Sequence, residues 1–533
     1  MSVHPYLFNV DGKPFFVLGA QPGTNNTYLP GGLRQFWRAA EALRINTAEM
    51  QVFWEMIEPE EGVYVFDQVD RLIRECEEHQ VKMIMTWFGA WKNGCMKYAP
   101  AYVKVDKDRF RRAKDVLGCD TLNLSTYCEE NYRADCDAFC ALIEHLKIAD
   151  VNRTVLAVQV ENESGLFGKC VRDHDDYAEQ VFRDHVPYDL LRYLDDHPDS
   201  NCTAVWQANG HLYGEDWETT FGRDAAEYFS AYSVASFIGR EAQEAKVIYD
   251  IPMYANAWLM HAAFEEPGID YPSGGPVKKV LDIWKCAAPA LDCICPDNYA
   301  MSYQLFYDNC RDYDLEDNLL FIPESPSHTA GNWQPFVAIG DFDCQGYCCM
   351  GHVYDIVKED GSIGEDRLGI VQSFRDIRDL APILPDYYGS GKMYSVVQQP
   401  GMKQQLIAME GWKALIHFNQ GIANSNVPGN FIDTHKANGA WGAGLIIQAG
   451  PNEFYIVGND FTVEFRKAVA VDEILPEHAL VKTTQTIDYL YVDEGYFEED
   501  KTFTLTNKRN GDSNDYGIVL LPRTRVIHVG LNT

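Results

Sequence analysis

Between residues 15 and 380 the apolar positions of this chain fall into two alternating rhythms. Short, almost continuous apolar and β-branched runs predict strands at 15–20, 47–53, 81–87, 155–160, 253–258, 291–295, 319–322 and 346–350. Apolar residues three and four apart predict helices at 33–43, 67–80, 134–148, 188–194, 224–245, 277–287 and 371–380. Val69, Leu72, Ile73 and Cys76 show that spacing within one helix. Strands apolar on both faces belong to a parallel sheet covered by helices. Eight of them, interleaved with helices, predict an α/β chain built as a (β/α)8 TIM barrel. A doubly wound open sheet would instead want a Gly-rich phosphate turn after a strand. Gly389-Ser-Gly391-Lys392 is no such turn, because Asp386 stands where a glycine belongs and Met393 where Ser or Thr belongs.

The rhythm changes after Pro385. Short alternating runs follow at 405–409, 413–418, 444–448, 453–457, 461–465, 486–492, 502–505 and 517–521, separated by Gly, Asn and Asp turns. This predicts a C-terminal all-β, sandwich-like domain over 386–533, after a catalytic barrel over 1–385. A long stretch from Phe88 to about Thr126, rich in Lys, Tyr and Pro, interrupts the barrel pattern after its third strand. Loops that long in compact domains are usually functional.

Composition narrows the function classes. The 533 residues are 46% hydrophobic, enough for large cores, and the net charge is -34. That sign argues against nucleic-acid partners and anionic membrane surfaces. No apolar run approaches a membrane span. The N-terminal residues lack a basic head and an apolar stretch, so they do not read as a signal peptide. With 15 Cys scattered through strands and helices, the expectation is reduced thiols and a cytoplasmic protein. Cys95, Cys119, Cys128 and Cys170 could converge on zinc only through folding, since none has tight Cys-x2-Cys spacing. No cofactor is expected.

Candidate chemistry sits where the buried strands end. The run Val155–Val160 breaks abruptly into Glu161-Asn162-Glu163. Polar residues leaving a buried strand line a cleft or cap a turn, and barrels keep their chemistry at that end. Pro323-Glu324 leaves the predicted seventh strand in the same way. Two carboxylates facing each other across a barrel mouth are the apparatus of a retaining glycosidase, which holds them about 5–5.5 Å apart. Gln21, Trp87, Trp258 and Tyr299 also stand at strand exits, with Trp91 and Trp333 as further aromatic faces for a sugar.

These residues carry a resemblance. A strand-four Asn-Glu with a strand-seven Glu resembles glycoside hydrolase clan A, and Gln159-Val-Glu-Asn-Glu163 is similar to the acid/base motif of the family 35 β-galactosidases. Further similar segments are Asp11–Pro14, Trp54–Gly62, Trp87–Asn93, Pro252–Trp258, Pro272–Pro276, Pro296–Tyr299 and Phe321–Glu324. The branch it resembles is bacterial and carries an extra C-terminal β-domain. The resemblance implies Glu163 as acid/base, Glu324 as nucleophile and Asn162 as donor to the sugar 2-hydroxyl. Glu161, Tyr299, Asn256, Trp258, Trp87, Asn93 and Gln21 join them as expected substrate contacts. It implies an exo-acting, retaining β-galactosidase acting on a small glycoside or oligosaccharide, with homo-oligomerisation possible. A β-glucosidase or another clan A exo-glycosidase is the alternative, and a non-catalytic sugar-binding protein a more distant one. The strand-eight exit, Cys348-Cys-Met-Gly-His352, departs from the family pattern.

Overall fold

The computed structural model describes residues 6–418, 441–468, 487–514 and 517–532. The first five residues and residue 486, which opens one predicted strand, lie outside them. Seven parallel strands form one sheet in the spatial order Cys293–Asp297, Met253–Trp258, Val155–Gln159, Lys82–Phe88, Thr47–Phe53, Val17–Ala20 and Gly346–Cys349. Neighbouring strands run in sequence order around the sheet, as right-handed βαβ units demand.

The predicted seventh strand is the one that departs. Residues 319–326 make isolated parallel bridges, Asp297 with Glu324, Ile322 with Tyr347 and Pro326 with Met350. The Ile322 N–H donates to Gly346 O at 3.1 Å and the Asn298 N–H to Glu324 O at 2.9 Å, so this segment closes the barrel. Pro323 and Pro326 have no N–H to offer a ladder, which breaks regular pairing.

The barrel interior is graded from bottom to top. Its lower layer is apolar, with Val17, Ile84, Leu156, Tyr254, Phe321 and Cys348 in one cluster. Leu7 and Phe8 plug the bottom, and Phe8 meets the edge of Phe321 at 4.9 Å. They are set there by a tight hairpin, Asn9–Val10 on Lys13–Pro14, whose Asp11 and Gly12 both have positive φ. The upper layer is polar, with Gln21, Glu49, Gln51, Gln159, Asn256 and Glu324 all buried. Strand Thr47–Phe53 shows how one sequence serves both sides. Ala48, Met50 and Val52 pack into the main hydrophobic cluster, while Thr47, Glu49 and Gln51 alternate with them.

Helices cover the outside, among them Arg34–Leu43, Asp67–Glu78, Glu129–Ala149, Ala225–Ile248 and Leu368–Leu380. Tyr303–Tyr313 and Gln334–Phe342 are helices that hydropathy spacing did not predict. The long 88–126 stretch holds a short helix, Ala101–Val105, and a hairpin of Arg112–Lys114 with Asp120–Leu124. Among the described residues no helix is long and apolar enough to cross a membrane.

Beyond the barrel, all described pairing is antiparallel, in a six-stranded and a four-stranded sheet. Ile446, Ile456, Phe465, Val492 and Ile527 fill the core between them. The outer face of the larger sheet is also apolar. Met393, Leu445, Ile447, Val457 and Phe497 belong to the same hydrophobic cluster as the barrel helices. Helix Gln334–Phe342 approaches strand Met393–Val397 so closely that a Cβ on Gly340 would lie 2.6 Å from the Ser395 backbone nitrogen. Asp379, nearly buried, accepts both Arg525 Nε and Nη2 at 2.7 Å and Arg44 Nη1 at 2.7 Å, tying three parts of the chain together.

All fifteen cysteines are unpaired. The four thiols considered for zinc do not form a close group. The thiols that approach one another are Cys136 with Cys140 at 3.9 Å and Cys293 with Cys295 at 3.4 Å.

Candidate active site

The fourth strand ends at Gln159, and the chain then turns sharply. Glu161 has φ 63°, Glu163 φ 44° and Gly165 φ 128°. Two non-glycine residues in the left-handed region cost roughly 1 kcal/mol or more each. The hydrogen bonds around them hold the turn. Asn256 Oδ1, at the end of the fifth strand, accepts the Glu163 N–H at 2.9 Å. Asn162 Oδ1 accepts Gln159 Nε2 at 3.1 Å and Asn256 Nδ2 at 3.3 Å. The loop after the third strand comes alongside, with the N–H groups of Asn93 and Gly94 donating to Asn162 O at 3.2 Å and Glu163 O at 2.8 Å.

Glu163 and Glu324 meet at the C-terminal mouth, 6% and 3% exposed. One carboxyl oxygen from each, and one from Asp297, all lie within 4.8 Å of one another. Tyr299 donates its hydroxyl to Glu324 Oε2 at 2.8 Å, and Gln21 Nε2 reaches Glu324 Oε1 at 3.4 Å. Gln21 also donates to Glu49 Oε2 at 2.5 Å, and Gln51 Nε2 reaches Gln21 Oε1 at 3.4 Å, so a buried polar floor supports the pair from below. Burial raises the Glu49 carboxyl well above the usual range, and the nearby Glu324 charge adds to this.

The two glutamates differ in environment. Burial, and after it the Glu324 charge, push the Glu163 carboxyl up to about 7, against the pull of Lys92. Lys92 is buried, with Nζ 4.8 Å from the Phe88 ring centroid. Glu324 meets two donors, from Tyr299 and Gln21. A carboxyl that keeps its proton near neutrality opposite one that accepts two hydrogen bonds is an arrangement able to divide proton donation from nucleophilic attack.

Not every expected contact belongs to this cleft. Glu161 is turned away from it. Its oxygens take the N–H groups of Ala90 at 2.9 Å and Trp91 at 2.7 Å, with Gly89 at 3.3 Å. It forms a separate buried group with Asp135 and Glu241. Its place at the end of a β-strand resembled that of Glu163, but the period-two alternation is lost at the turn. Trp87 is also withdrawn as a sugar platform. Its ring is fully buried against Phe139, and Nε1 donates to Asp135 Oδ1 at 3.0 Å. Trp91 is buried against Phe237. Trp258 stays half-exposed, edge-on to Phe167 at 5.3 Å, and Asn93 is half-buried beside the turn.

Asp297 and Lys92 join the site without having been singled out. Both lie in segments read from the sequence, but only their position next to Glu163 marks them. A charged residue at the end of an apolar strand was the available signal for Asp297.

One solved structure is similar enough to support the barrel. A catalytic mutant of a GH42 beta-galactosidase from G. stearothermophilus superposes with a TM-score of 0.51 at 15% identity, over 72% of this chain and 59% of that one. The chain thus spans less than two thirds of that protein's length, and at this identity the likeness concerns the fold. A beta-galactosidase from Bacillus circulans sp. alkalophilus gives a TM-score of 0.48 at 14% identity, over 70% and 57% of the two chains. The catalytic domain of a beta-amylase from Paenibacillus polymyxa gives 0.49 at 13%, over 68% and 98%. No curated protein matches. Residues 370–521 match a model described as a domain of unknown function, DUF5597. Residues 33–219, which hold the second, third and fourth strands and Glu163, match the glycosyl hydrolase 42 model described as Beta-galactosidase, so the comparison points to family 42 rather than the family 35 read from the motifs.

Proposed function

We propose that this chain is a retaining, exo-acting β-galactosidase. The observation that carries the reading is the pair Glu163 and Glu324, buried at one barrel mouth with carboxyl oxygens within 4.8 Å. Retaining glycosidases place their two carboxyl groups about 5–5.5 Å apart, whereas inverting ones leave room for a water. The matched glycosyl hydrolase 42 segment supports galactose as the sugar.

In this reading Glu324 attacks the anomeric carbon and forms a glycosyl ester. Glu163, still protonated, gives its proton to the departing oxygen as the glycosidic bond breaks. The ester removes the Glu324 charge that was raising the Glu163 carboxyl. Glu163 then accepts a proton from water as that water attacks the anomeric carbon. The second displacement restores both the configuration and the Glu324 carboxylate. In this reading Asn162 donates to the sugar 2-hydroxyl, and Tyr299, whose hydroxyl reaches Glu324 Oε2 at 2.8 Å, donates to the nucleophile. Asn93, Gln21 and Trp258 are the remaining candidates for sugar contacts. Gln21 and Asn93 are the choices for the axial 4-hydroxyl that separates galactose from glucose.

The exo assignment rests on the length of the loops after the third and fourth strands, which in this reading wall the pocket so that one terminal sugar fits. The fifteen free thiols support a reducing, cytoplasmic setting. We also place the boundary between catalytic and C-terminal regions near residue 385, where the helix ending at Leu380 gives way to antiparallel strands.

The experiment is catalytic efficiency on nitrophenyl β-galactoside against nitrophenyl β-glucoside, with NMR of the first-formed sugar anomer. Galactoside should be preferred and the β-anomer should form first. Equal or better glucoside turnover would sink the galactosidase assignment. An α-anomer would sink the retaining one.

A further inference from the structure

The mechanism above uses two of the three carboxyl groups that meet at the barrel mouth. Asp297 is the third. It ends the sixth strand, is 3% exposed, and its backbone bridges to Glu324. Its Oδ2 accepts Asn256 Nδ2 at 2.7 Å. Its Oδ1 is buried and, among the described residues, takes no hydrogen bond from an N–H or O–H group. The Glu163 carboxyl faces it, with one oxygen of each within 4.8 Å. Two carboxyl oxygens facing each other are both acceptors, and only a proton between them turns the contact into a bond.

We propose that Asp297 is a positioning residue for Glu163: a carboxyl group that stays protonated through turnover and donates its hydrogen bond to Glu163 whenever Glu163 is the anion. The proposal rests on the glycosidase reading for the role, and on the packing alone for the proton.

The surroundings agree. Glu163 and Glu324 face Asp297 from the fourth-strand turn and the closing segment, and Lys92 is the cation that faces it. Lys97 acts on Glu163 from the same loop as Lys92. Tyr299, Tyr313 and Cys295 also surround Asp297 but bring no positive charge. Three carboxylates against one buried ammonium cannot all ionise. Burial, then the Glu324 and Glu163 charges, raise Asp297 well above the ordinary carboxylate range.

The consequence falls on the second half of the reaction. When Glu163 has delivered its proton and the leaving group has gone, a bare carboxylate remains in a buried site. The Asp297 O–H donates to it without transferring the proton. Glu163 then takes a proton from the attacking water, the ester bond to Glu324 breaks, and the bonding pair returns to Glu324. Asn256 accepts from the Glu163 backbone and donates to Asp297, so one side chain aligns both.

The test compares Asp297→Asn with Asp297→Ala. The amide keeps a donor for Glu163 and an acceptor for Asn256 but cannot ionise. With Asn, the alkaline limb of kcat/KM on an alkyl β-galactoside should stay within about half a pH unit of wild type. With Ala, the Glu163 anion loses its donor. The limb should move up by about a unit, and kcat should fall roughly tenfold or more on substrates limited by deglycosylation. A downward shift of about a unit in the Asn variant would mean that Asp297 is an anion, and the proposal fails. Identical profiles for Asn and Ala would also end it. Infrared difference spectra of wild type against Asp297→Asn at neutral pH read the proton without turnover and decide the matter if the Ala variant does not fold. A protonated carboxyl band should be lost in the variant, and its absence from wild type overturns the proposal. If the band is present but wild type cleaves no β-galactoside, the functional reading fails while the buried proton stands.

Discussion

The Asn256 side chain accepts the backbone N–H of Glu163 at 2.9 Å, linking the end of the fifth strand to a turn that leaves the fourth. Glu163 sits there with φ 44°, a conformation that a glutamate does not adopt unaided. The strained turn aims its carboxyl back across the barrel mouth at Glu324. Backbone strain at this point is held by the hydrogen bonds of neighbouring strands, as it often is at functional sites.

The roles of the two glutamates separate by substrate. Glu324→Ala should abolish turnover, and azide should restore part of it with formation of an α-galactosyl azide. Glu163→Ala should slow alkyl galactosides by orders of magnitude more than dinitrophenyl ones, because only poor leaving groups need the acid. Equal losses on both substrate types contradict the assignment.

Glu163 should also set the alkaline limb of the pH profile. Its carboxyl is pushed up to about 7, so the protonated acid is lost as pH rises through that value. For poor leaving groups kcat/KM should fall about tenfold per unit well above it. A flat profile from pH 6 to 9 would remove Glu163 as the titrating acid.

The same carboxyl makes a stability prediction. Its folded pKa, about 7, lies above the ordinary carboxyl value of 4.5, so the folded state binds more protons in between. Stability is therefore fullest below the unfolded value and declines as pH rises through the folded one. Glu163→Gln, which cannot ionise, should gain on wild type by up to about 2 kcal/mol between pH 5 and pH 8. Denaturant melts at the two pH values measure the difference, and parallel curves refute it.

Glu161 is predicted to act on the loop and not on the sugar. Removing its carboxyl takes the acceptor from the buried Trp91 amide and one of the two acceptors from that of Ala90, which keeps Asp135 Oδ2. Glu161→Ala should cost about 2–4 kcal/mol in unfolding experiments. A variant with wild-type stability but a raised KM would restore Glu161 to the sugar site.

The barrel and the C-terminal sheets share one apolar cluster, from Met393 and Leu445 to the barrel helices. A fragment ending at residue 385 would expose the barrel side of that seam. It should bind a hydrophobic dye and melt well below the full chain, while adding the Arg525→Ala change to the full chain should have a smaller effect in the same direction. A monomeric fragment as stable as the whole would show the two regions to be independent.

Strand and helix rhythm alone specified the barrel, because burial on both faces leaves a continuous apolar run that solvent-exposed strands cannot carry. The strand Thr47–Phe53 was legible to the residue, and so were the exits that hold Glu163 and Glu324. The closing segment at 319–326 was legible as apolar but not as irregular, since its bridges depend on which carbonyls its neighbours present. Helix Gln334–Phe342 escaped because it is buried on nearly every side and has no polar face to give a period. What tertiary structure decided was which polar groups share a volume. Glu161 and Glu163 are two residues apart and equally acidic, yet one is spent on loop amides and the other faces Glu324. Asp297 comes from the sixth strand, far from Glu163 in sequence and next to the segment of Glu324, to meet both catalytic candidates. Local sequence sets how a side chain leaves its own strand. Only the closure of the barrel sets what it meets there, and at a few ångströms in a water-poor site that meeting decides which carboxyl keeps its proton.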